Sequence, residues 1–278
     1  MSRAYLTPLA LASLIATAAC TTTPAALTQL VEARRLASEL HVEFTKAVEA
    51  SNRAVMADTD EASAAGADEA KRARETVDKD FNALRDALQA LGYRDDLRAL
   101  EAFKARFDEY RKLDDEILPL AVENTNLKAQ HLSFGAGQEA ADAFRAAVEA
   151  AARTAKGSCC GDASASHARA ALLEIQVLQA PHIAESDDAA MTKIENRMQE
   201  LARTARAAID ELKAADAAAA LDRFLKINDE IVTLSRRNSN VRSLALSLGR
   251  KRMITAECED DLRALEQALA GHAFSATR

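Results

Sequence analysis

Tryptophan is absent from this sequence, and glycine and proline are scarce, with 8 and 4 residues among 278. Aromatic residues make up only 4%, and no runs of the β-branched and aromatic residues that strands favour are present. These absences exclude an extended β-sheet core. Alanine, leucine and the charged residues dominate instead, which is the composition of long helices. The sequence therefore predicts an all-α protein.

The chain also lacks an excess of positive charge, because its net charge is −7. A nucleic-acid partner is therefore not expected, since binding the phosphate backbone requires a basic surface. No stretch after residue 20 is apolar for long enough to span a bilayer. Catalytic motifs such as a phosphate-binding glycine loop or H-E-x-x-H are missing. We expect a protein that is not an enzyme and that requires no cofactor.

The first 20 residues have the pattern of an export signal and not of a folded segment. Arg3 provides the positive end, and a short apolar run extends from Leu6 to Ile15. Small residues then lead to Cys20, as in the signal of a bacterial lipoprotein. We expect Cys20 to become the lipidated first residue, followed by a short tether over residues 21–25.

One position departs from the usual lipoprotein signal. Residue 17 is threonine where such signals usually carry leucine, so ordinary cleavage after Ala18 or Ala19 is an open alternative. Residue 22 is not aspartate, which favours the outer membrane as destination. The expected localisation is the periplasmic face of the cell envelope, with the membrane as a partner through the lipid anchor.

A segment of 24 residues occurs twice, as Lys112–Gly135 and Lys226–Gly249, with a constant offset of 114 residues. Ten of the 24 positions are identical, and most of the others are conservative exchanges. Chance would give one or two identities, so we interpret the pair as a tandem repeat. The repeat predicts two related halves, over about residues 26–155 and 163–270.

Apolar residues in each copy recur at steps of four and three, the pattern of a seam between supercoiled helices. In the first copy the predicted seam contains Leu113, Ile117, Leu120, Asn124, Leu127, His131 and Phe134. In the second copy it contains Ile227, Ile231, Leu234, Asn238, Val241, Ala245 and Leu248. Cys258 continues the second seam, which predicts a buried thiol.

Helical patterns and the stop signals between them predict four long helices joined by short loops. Short loops force neighbouring helices to run antiparallel, so the expected fold is a long up-down-up-down four-helix bundle over residues 26–272, built from two tandem helical hairpins. A kink is expected at Pro119, a break of the helix near Pro181, and irregularity at Gly135 and Gly137. The predicted helices cover about residues 25–91, 95–154, 164–214 and 216–270.

Each seam contains one asparagine, Asn124 or Asn238, and a buried amide needs hydrogen-bond partners. Polar residues at such positions often fix helix register, and this is one interpretation. The other is a polar layer that meets a ligand, with Arg242 holding a small anion beside it. The candidate ligand-binding residues are Asn124, Asn126, Asn238, Asn240 and Arg242.

Two groups contain residue types that bind metal ions. His182 and Glu185 lie three positions apart, although the following Ser186-Asp187-Asp188 is typical of a helix cap. Cys159 and Cys160 lie in a predicted loop over residues 156–162, and His167 follows it. The two thiols have three open states: a disulfide with Cys258 or a second protomer, free thiols, or metal ligands.

The segments ENTNLKAQHLS, RNSNVRSLALSLG and Met56–Ala73 resemble the periplasmic four-helix-bundle sensor domains of methyl-accepting chemotaxis proteins and related histidine kinases. This resemblance implies a helical module that senses a ligand, often forms a dimer and takes part in signal transduction. The sequence has no transmembrane helices flanking the bundle and no cytoplasmic signalling hairpin, so we expect it to act from a lipid anchor or by docking a receptor.

We therefore expect an exported, lipid-anchored helical sensor that recognises a small ligand or a partner receptor, and homodimerisation is a further expectation. Two alternatives stay open at this point. The first is a structural envelope lipoprotein that acts as a spacer or scaffold. The second is a helical bundle that binds a metal or haem.

Overall fold

The computed structural model describes residues 22–154 and 159–272, with side chains over 27–154 and 161–272. Every regular element in these residues is helical and no strand occurs among them, so the all-α prediction is confirmed. No helix in these ranges has the length and apolarity needed to cross a membrane. The elements are α1 (Thr22–Met56), α2 (Asp60–Leu91), α3 (Arg94–Glu123), α4 (Thr125–Leu132), a first π turn (Ser133–Gly137), α5 (Gln138–Thr154), α6 (Cys159–Ala184), α7 (Asp188–Leu212), α8 (Ala215–Arg237), α9 (Ser239–Leu246), a second π turn (Ser247–Lys251) and α10 (Arg252–Gly271).

The prediction of one helix from residue 25 to 91 is wrong, because α1 ends at Met56 and α2 begins at Asp60. The Thr59 hydroxyl accepts a hydrogen bond from the Ala62 amide at 3.1 Å and caps α2. Beyond the turn, the Ser63 hydroxyl donates to the Ala54 carbonyl at 2.9 Å, so the two helices lie side by side at their junction. The capping signal was present in the sequence, but an uninterrupted alanine-rich pattern concealed it.

Two other predicted boundaries agree with the structure. Gly92 has a positive φ of 71° between α2 and α3, a conformation that glycine adopts without strain. The break after Pro181 occurs at residues 185–187, and Asp187 caps α7 by accepting from the Ala190 amide at 2.7 Å. The predicted loop over residues 156–162 is shorter than expected, because residues 159–162 belong to α6.

The predicted seam holds only up to the asparagine of each copy. Pro119 lies within α3, and the helix is first interrupted at Asn124. Beyond this point His131 and Phe134 are exposed, Phe134 to 72%, and Leu248 in the second copy is exposed to 62%. The seam prediction is wrong there because the left-handed residue turns the following helix, so that small residues face inward instead. These are Thr125, Ala129 and Gly137 in the first copy and Ser239, Ser243 and Ser247 in the second.

The described residues fall into two compact units that cut across the sequence repeats. The first unit combines parts of Met1–Glu49, Glu69–Lys112 and Arg252–Arg278, and the second combines Ala50–Asp68 with Leu113–Lys251. Thus α10, from the second repeat, belongs to the first unit, and α5, from the first repeat, belongs to the second. The single bundle over residues 26–272 with halves at 26–155 and 163–270 therefore stays a prediction.

The core of the first unit is aromatic. The Phe44 ring of α1 makes edge-to-face contacts with Phe103, Phe107 and Tyr110 of α3, with centroids 5.8, 6.0 and 5.4 Å away. Cys258 of α10 is buried as a free thiol, as predicted, and burial raises its pKa to about 12.

The core of the second unit is built from four helices, α5, α6, α7 and α8, whose buried faces form one apolar cluster. Alanine supplies much of this cluster, so the helices approach closely and a few large side chains fill the space between them. The largest are Phe144, Leu172, Ile175, Met198, Leu201, Ile209, Leu221 and Phe224.

Substitution of Gly66 tests how closely α1 and α2 approach each other at their junction. A Cβ atom at residue 66 would lie 2.8 Å from the Ala54 nitrogen, closer than real Cβ contacts. We expect Gly66→Ala to lower the free energy of unfolding by about 1–3 kcal/mol, as overpacking does. At Gly135 a Cβ would meet nothing within 4 Å, so Gly135→Ala is the matched control. Urea denaturation measures both variants, and equal stability of the two would contradict the close approach.

Candidate functional site

Asn124 and Asn238 interrupt their helices by adopting the left-handed backbone conformation. Their φ and ψ angles are 51° and 38°, and 57° and 34°. Asparagine is among the few residue types other than glycine that enter this region readily. Each residue ends one helix and begins another, so α4 starts at Thr125 and α9 starts at Ser239.

The first residues of α4 and α9 cap each other's helix. The Thr125 amide donates to the Ser239 hydroxyl at 3.0 Å, and the Ser239 amide donates to the Thr125 hydroxyl at 3.1 Å. The Asn126 amide donates to the Asn240 side-chain oxygen, and the Asn240 amide donates to that of Asn126, both at 3.1 Å. A new helix exposes unpaired N–H groups, and here each copy of the repeat satisfies those of the other. We call residues 124–126 and 238–240 the amide crossing.

The side-chain N–H groups of the amide crossing are also bound. Asn126 donates to the Asn238 side-chain oxygen at 2.8 Å and to the Ile183 carbonyl at 2.7 Å. Asn240 donates to the Asn124 side-chain oxygen at 2.8 Å. Asn124 donates in turn to the Asp60 carboxylate at 3.1 Å, and Asn238 donates to the Glu185 carbonyl at 2.8 Å.

The four asparagines proposed as ligand-binding residues are therefore brought together, but they bind each other. This arrangement favours the interpretation in which the amides fix the register between the two copies. Arg242, the fifth candidate, is exposed on α9.

His182, near the end of α6, is fully buried within a polar cluster. Its Nε2 lies 2.8 Å from the Glu195 carboxylate, and its Nδ1 lies 2.8 Å from the Ser235 hydroxyl, which itself donates to the His182 carbonyl at 2.8 Å. Arg236 donates to the same Glu195 oxygen. Spacing in the sequence gave no sign of this cluster, because its residues come from three different helices.

The charges of this cluster determine how Glu195 titrates. Its hydrogen bond from Arg236, and after it the one from His182, hold the pKa of Glu195 below its usual value, although burial acts in the opposite direction. The same hydrogen bond to Glu195 raises the pKa of Arg236. Glu195 is thus an ionised carboxylate at neutral pH.

The predicted metal sites are not assembled where the structure describes them. His182 contacts Ser235 and Glu195, while the Glu185 carboxylate accepts from the Ser186 and Asp187 amides at 2.8 and 2.9 Å. Within residues 22–154 and 159–272 no group of three or more His, Cys, Asp or Glu residues is arranged to hold a metal ion. The side chains of Cys159 and Cys160 lie outside the described set, and His167 is exposed on α6.

A buried ion pair near the second π turn was not predicted. The Lys251 ammonium lies 2.7 Å from the Asp114 carboxylate, and their side chains are exposed to only 2% and 0%. The Ser51 hydroxyl donates to the same carboxylate oxygen at 2.7 Å. Asp114 aligns with Asn228 in the second copy, so a polar residue at one repeat position in both copies was the signal available in the sequence.

At that aligned position in the second copy the polar cluster is neutral. Gln179 donates to the Asn228 side-chain oxygen at 2.9 Å and accepts from the Ser133 hydroxyl at 2.7 Å. The Asn228 nitrogen donates to the Met198 sulfur at 3.8 Å, which is a weak bond. Asn228 itself is exposed to only 5%.

Beside Asn228, a cleft of about 180 Å³ opens between α7 and α8. Its lining combines carboxylates and amides with apolar side chains, and both helices contribute residues of each kind. Small-molecule sites have this combination, although most are larger. The cleft is lined by Glu195, Met198, Gln199, Ala202, Leu225, Asn228, Asp229 and Val232.

Comparison with known proteins gives no further guide, because no protein-family model, curated protein or solved structure matches the chain. The candidate site therefore depends on its own geometry.

Two substitutions at Asn124 separate the effect of backbone conformation from that of hydrogen bonding. Asn124→Gly and Asn124→Ala both remove the amide, but only glycine adopts the left-handed conformation without cost. We expect the glycine variant to be more stable by about 1 kcal/mol in urea denaturation. Asn82, an exposed residue inside α2, is the control. There the alanine variant should be more stable than the glycine variant by a similar amount. An Asn124→Ala variant as stable as Asn124→Gly would contradict the assignment.

Glu195 gives a pH-dependent prediction. Because folding lowers its pKa, ionised Glu195 stabilises the fold above the unfolded value of about 4.3, and this contribution is lost as pH falls through the lower folded value. We expect Glu195→Gln to reduce stability at about pH 6 and to reduce it less near pH 3, which lies below the unfolded pKa. Chemical denaturation at both pH values measures this. Glu230→Gln, at an exposed carboxylate of α8, should show no such difference, and equal losses for Glu195→Gln at both pH values would exclude the mechanism.

Proposed function

We propose that this chain is an exported, lipid-anchored helical binding module that recognises a small ligand in the cleft between α7 and α8. The single observation that carries the proposal is the buried Asn228 amide at the cleft, whose nitrogen has only a thioether as partner among the described residues. A buried amide N–H that lacks a strong acceptor costs stability, and a ligand acceptor would recover it.

The amide crossing supports a ligand site at this cleft and not at the predicted asparagine layer. The N–H groups of the crossing already have partners within the protein, so a ligand would have to displace them. At the cleft, by contrast, binding adds a hydrogen bond without breaking a strong one. The sensor function expected from the family resemblance is thus retained, with a different binding site.

The architecture and location belong to the same proposal. The shared core of α5, α6, α7 and α8 supports a four-helix bundle of the kind found in periplasmic sensor domains. Export and attachment through Cys20 rest on the sequence of the first 20 residues alone. A receptor in the membrane, or a second copy of the chain, would carry the signal onwards.

A thermal-shift screen of the full chain, purified from membranes in mild detergent, tests ligand binding. A ligand at about one hundred times its Kd should raise the Tm by about 5–10 °C. Ala202→Trp fills the cleft and should abolish the shift, whereas Ala207→Trp, on the exposed face of α7, should leave it intact. If no compound among amino acids, amines, organic acids and sugars shifts the Tm, the proposed function is wrong.

The anchor has a separate test. Cys20→Ser removes the sulfur that would carry the lipid, so the variant should lose incorporation of labelled palmitate and leave the membrane fraction. Ser2→Ala, elsewhere in the leader, should change neither property. Palmitate incorporation that persists in the Cys20→Ser variant would disprove lipidation at this residue.

A further inference from the structure

The hydrogen bonds around Asn228 determine which group it presents to the cleft. Gln179 accepts from the Ser133 hydroxyl through its oxygen and donates to Asn228 through its nitrogen. The Asn228 oxygen is therefore occupied, and its nitrogen points to Met198 at the cleft wall. At this position the cleft offers a hydrogen-bond donor to a ligand, which must supply an acceptor.

The other polar groups of the cleft are mainly acceptors. Glu195 and Asp229 are carboxylates, and no lysine, arginine or histidine is among the residues that line the cleft. One Glu195 oxygen is bound by His182 and Arg236, whereas the Asp229 carboxylate has no hydrogen-bond partner among the described residues. Such a lining favours a ligand with N–H donors and a positive charge.

A metal ion would also satisfy carboxylates, but this lining does not suit one. No cluster of three or more ligating side chains exists in the residues described, and four of the eight residues that line the cleft are apolar. Met198, Leu225 and Val232 instead match a short aliphatic group. The cleft volume of about 180 Å³ restricts the ligand to a small molecule.

We propose that the cleft between α7 and α8 binds a small aliphatic amine that also carries a neutral hydrogen-bond acceptor. The ammonium group lies against Asp229 and the free oxygen of Glu195, a carbonyl or hydroxyl oxygen accepts from Asn228, and the aliphatic group packs on Leu225 and Val232. This assignment of ligand class rests on the proposed function, since it takes the cleft to be the binding site.

Isothermal titration calorimetry of the full chain in detergent tests the ligand class with three matched compounds. Leucinamide has the amine, the carbonyl and the aliphatic group; 4-methylpentanamide lacks the amine; isoamylamine lacks the carbonyl. At about pH 6.5 the leucinamide amine is mainly protonated. We expect leucinamide to bind at least tenfold more tightly than 4-methylpentanamide and several times more tightly than isoamylamine.

Variants locate the binding site. Asp229→Asn should weaken the binding of leucinamide by about tenfold and leave the binding of 4-methylpentanamide unchanged, because only the amine contacts this carboxylate. Asp210→Asn, at an exposed carboxylate of α7, should change the binding of neither compound. Both Asp229 and Asp210 are exposed, so neither replacement disturbs a buried contact.

The outcomes separate this inference from the proposed function. If 4-methylpentanamide binds as tightly as leucinamide, or if none of the three compounds binds, the amine class is wrong, while the broader screen still tests the cleft. If leucinamide binds but Ala202→Trp does not weaken it, the amine binds elsewhere and the inference is overturned. If no compound in the broad screen binds, the proposed function itself fails.

Discussion

The reciprocal capping of α4 and α9 is the interaction on which the second unit depends. A helix that restarts in the interior exposes amide groups that water cannot reach, and leaving them unpaired costs about 1–3 kcal/mol each. The Thr125–Ser239 and Asn126–Asn240 pairs remove this cost in both copies at once. Neither helix start is satisfied by its own repeat. The two interruptions are therefore tolerated only because they lie opposite each other.

The sequence predicts the all-α class, the repeat and the presence of polar partners around both asparagines, because these follow from composition and from residues at a fixed offset. It does not predict that Asn124 and Asn238 end their helices, since a heptad pattern runs through both positions. One left-handed residue then redirects every following side chain, which explains why Phe134 and Leu248 lie outside. The His182 cluster and the cleft depend on contacts between distant helices, which no local pattern encodes.

The two copies have diverged in chemistry at one aligned position. Asp114 forms a buried ion pair with Lys251, whereas Asn228 is part of a neutral amide chain that ends at a cleft. Burying an ion pair contributes little net stability, because the desolvation of both charges offsets most of their attraction. The aligned amide of the second copy lies at the cleft instead. Duplication thus provides one closed position and one open position on the same backbone pattern.

The amide crossing has the same bonds when its two sides are exchanged, as in the interface of a twofold-symmetric dimer. In addition, α5 packs with the helices of the second repeat, while α10 belongs to the unit of the first. A contact that two separate subunits would form only at sufficient concentration is therefore made here within one chain, at an effective concentration that dilution does not change.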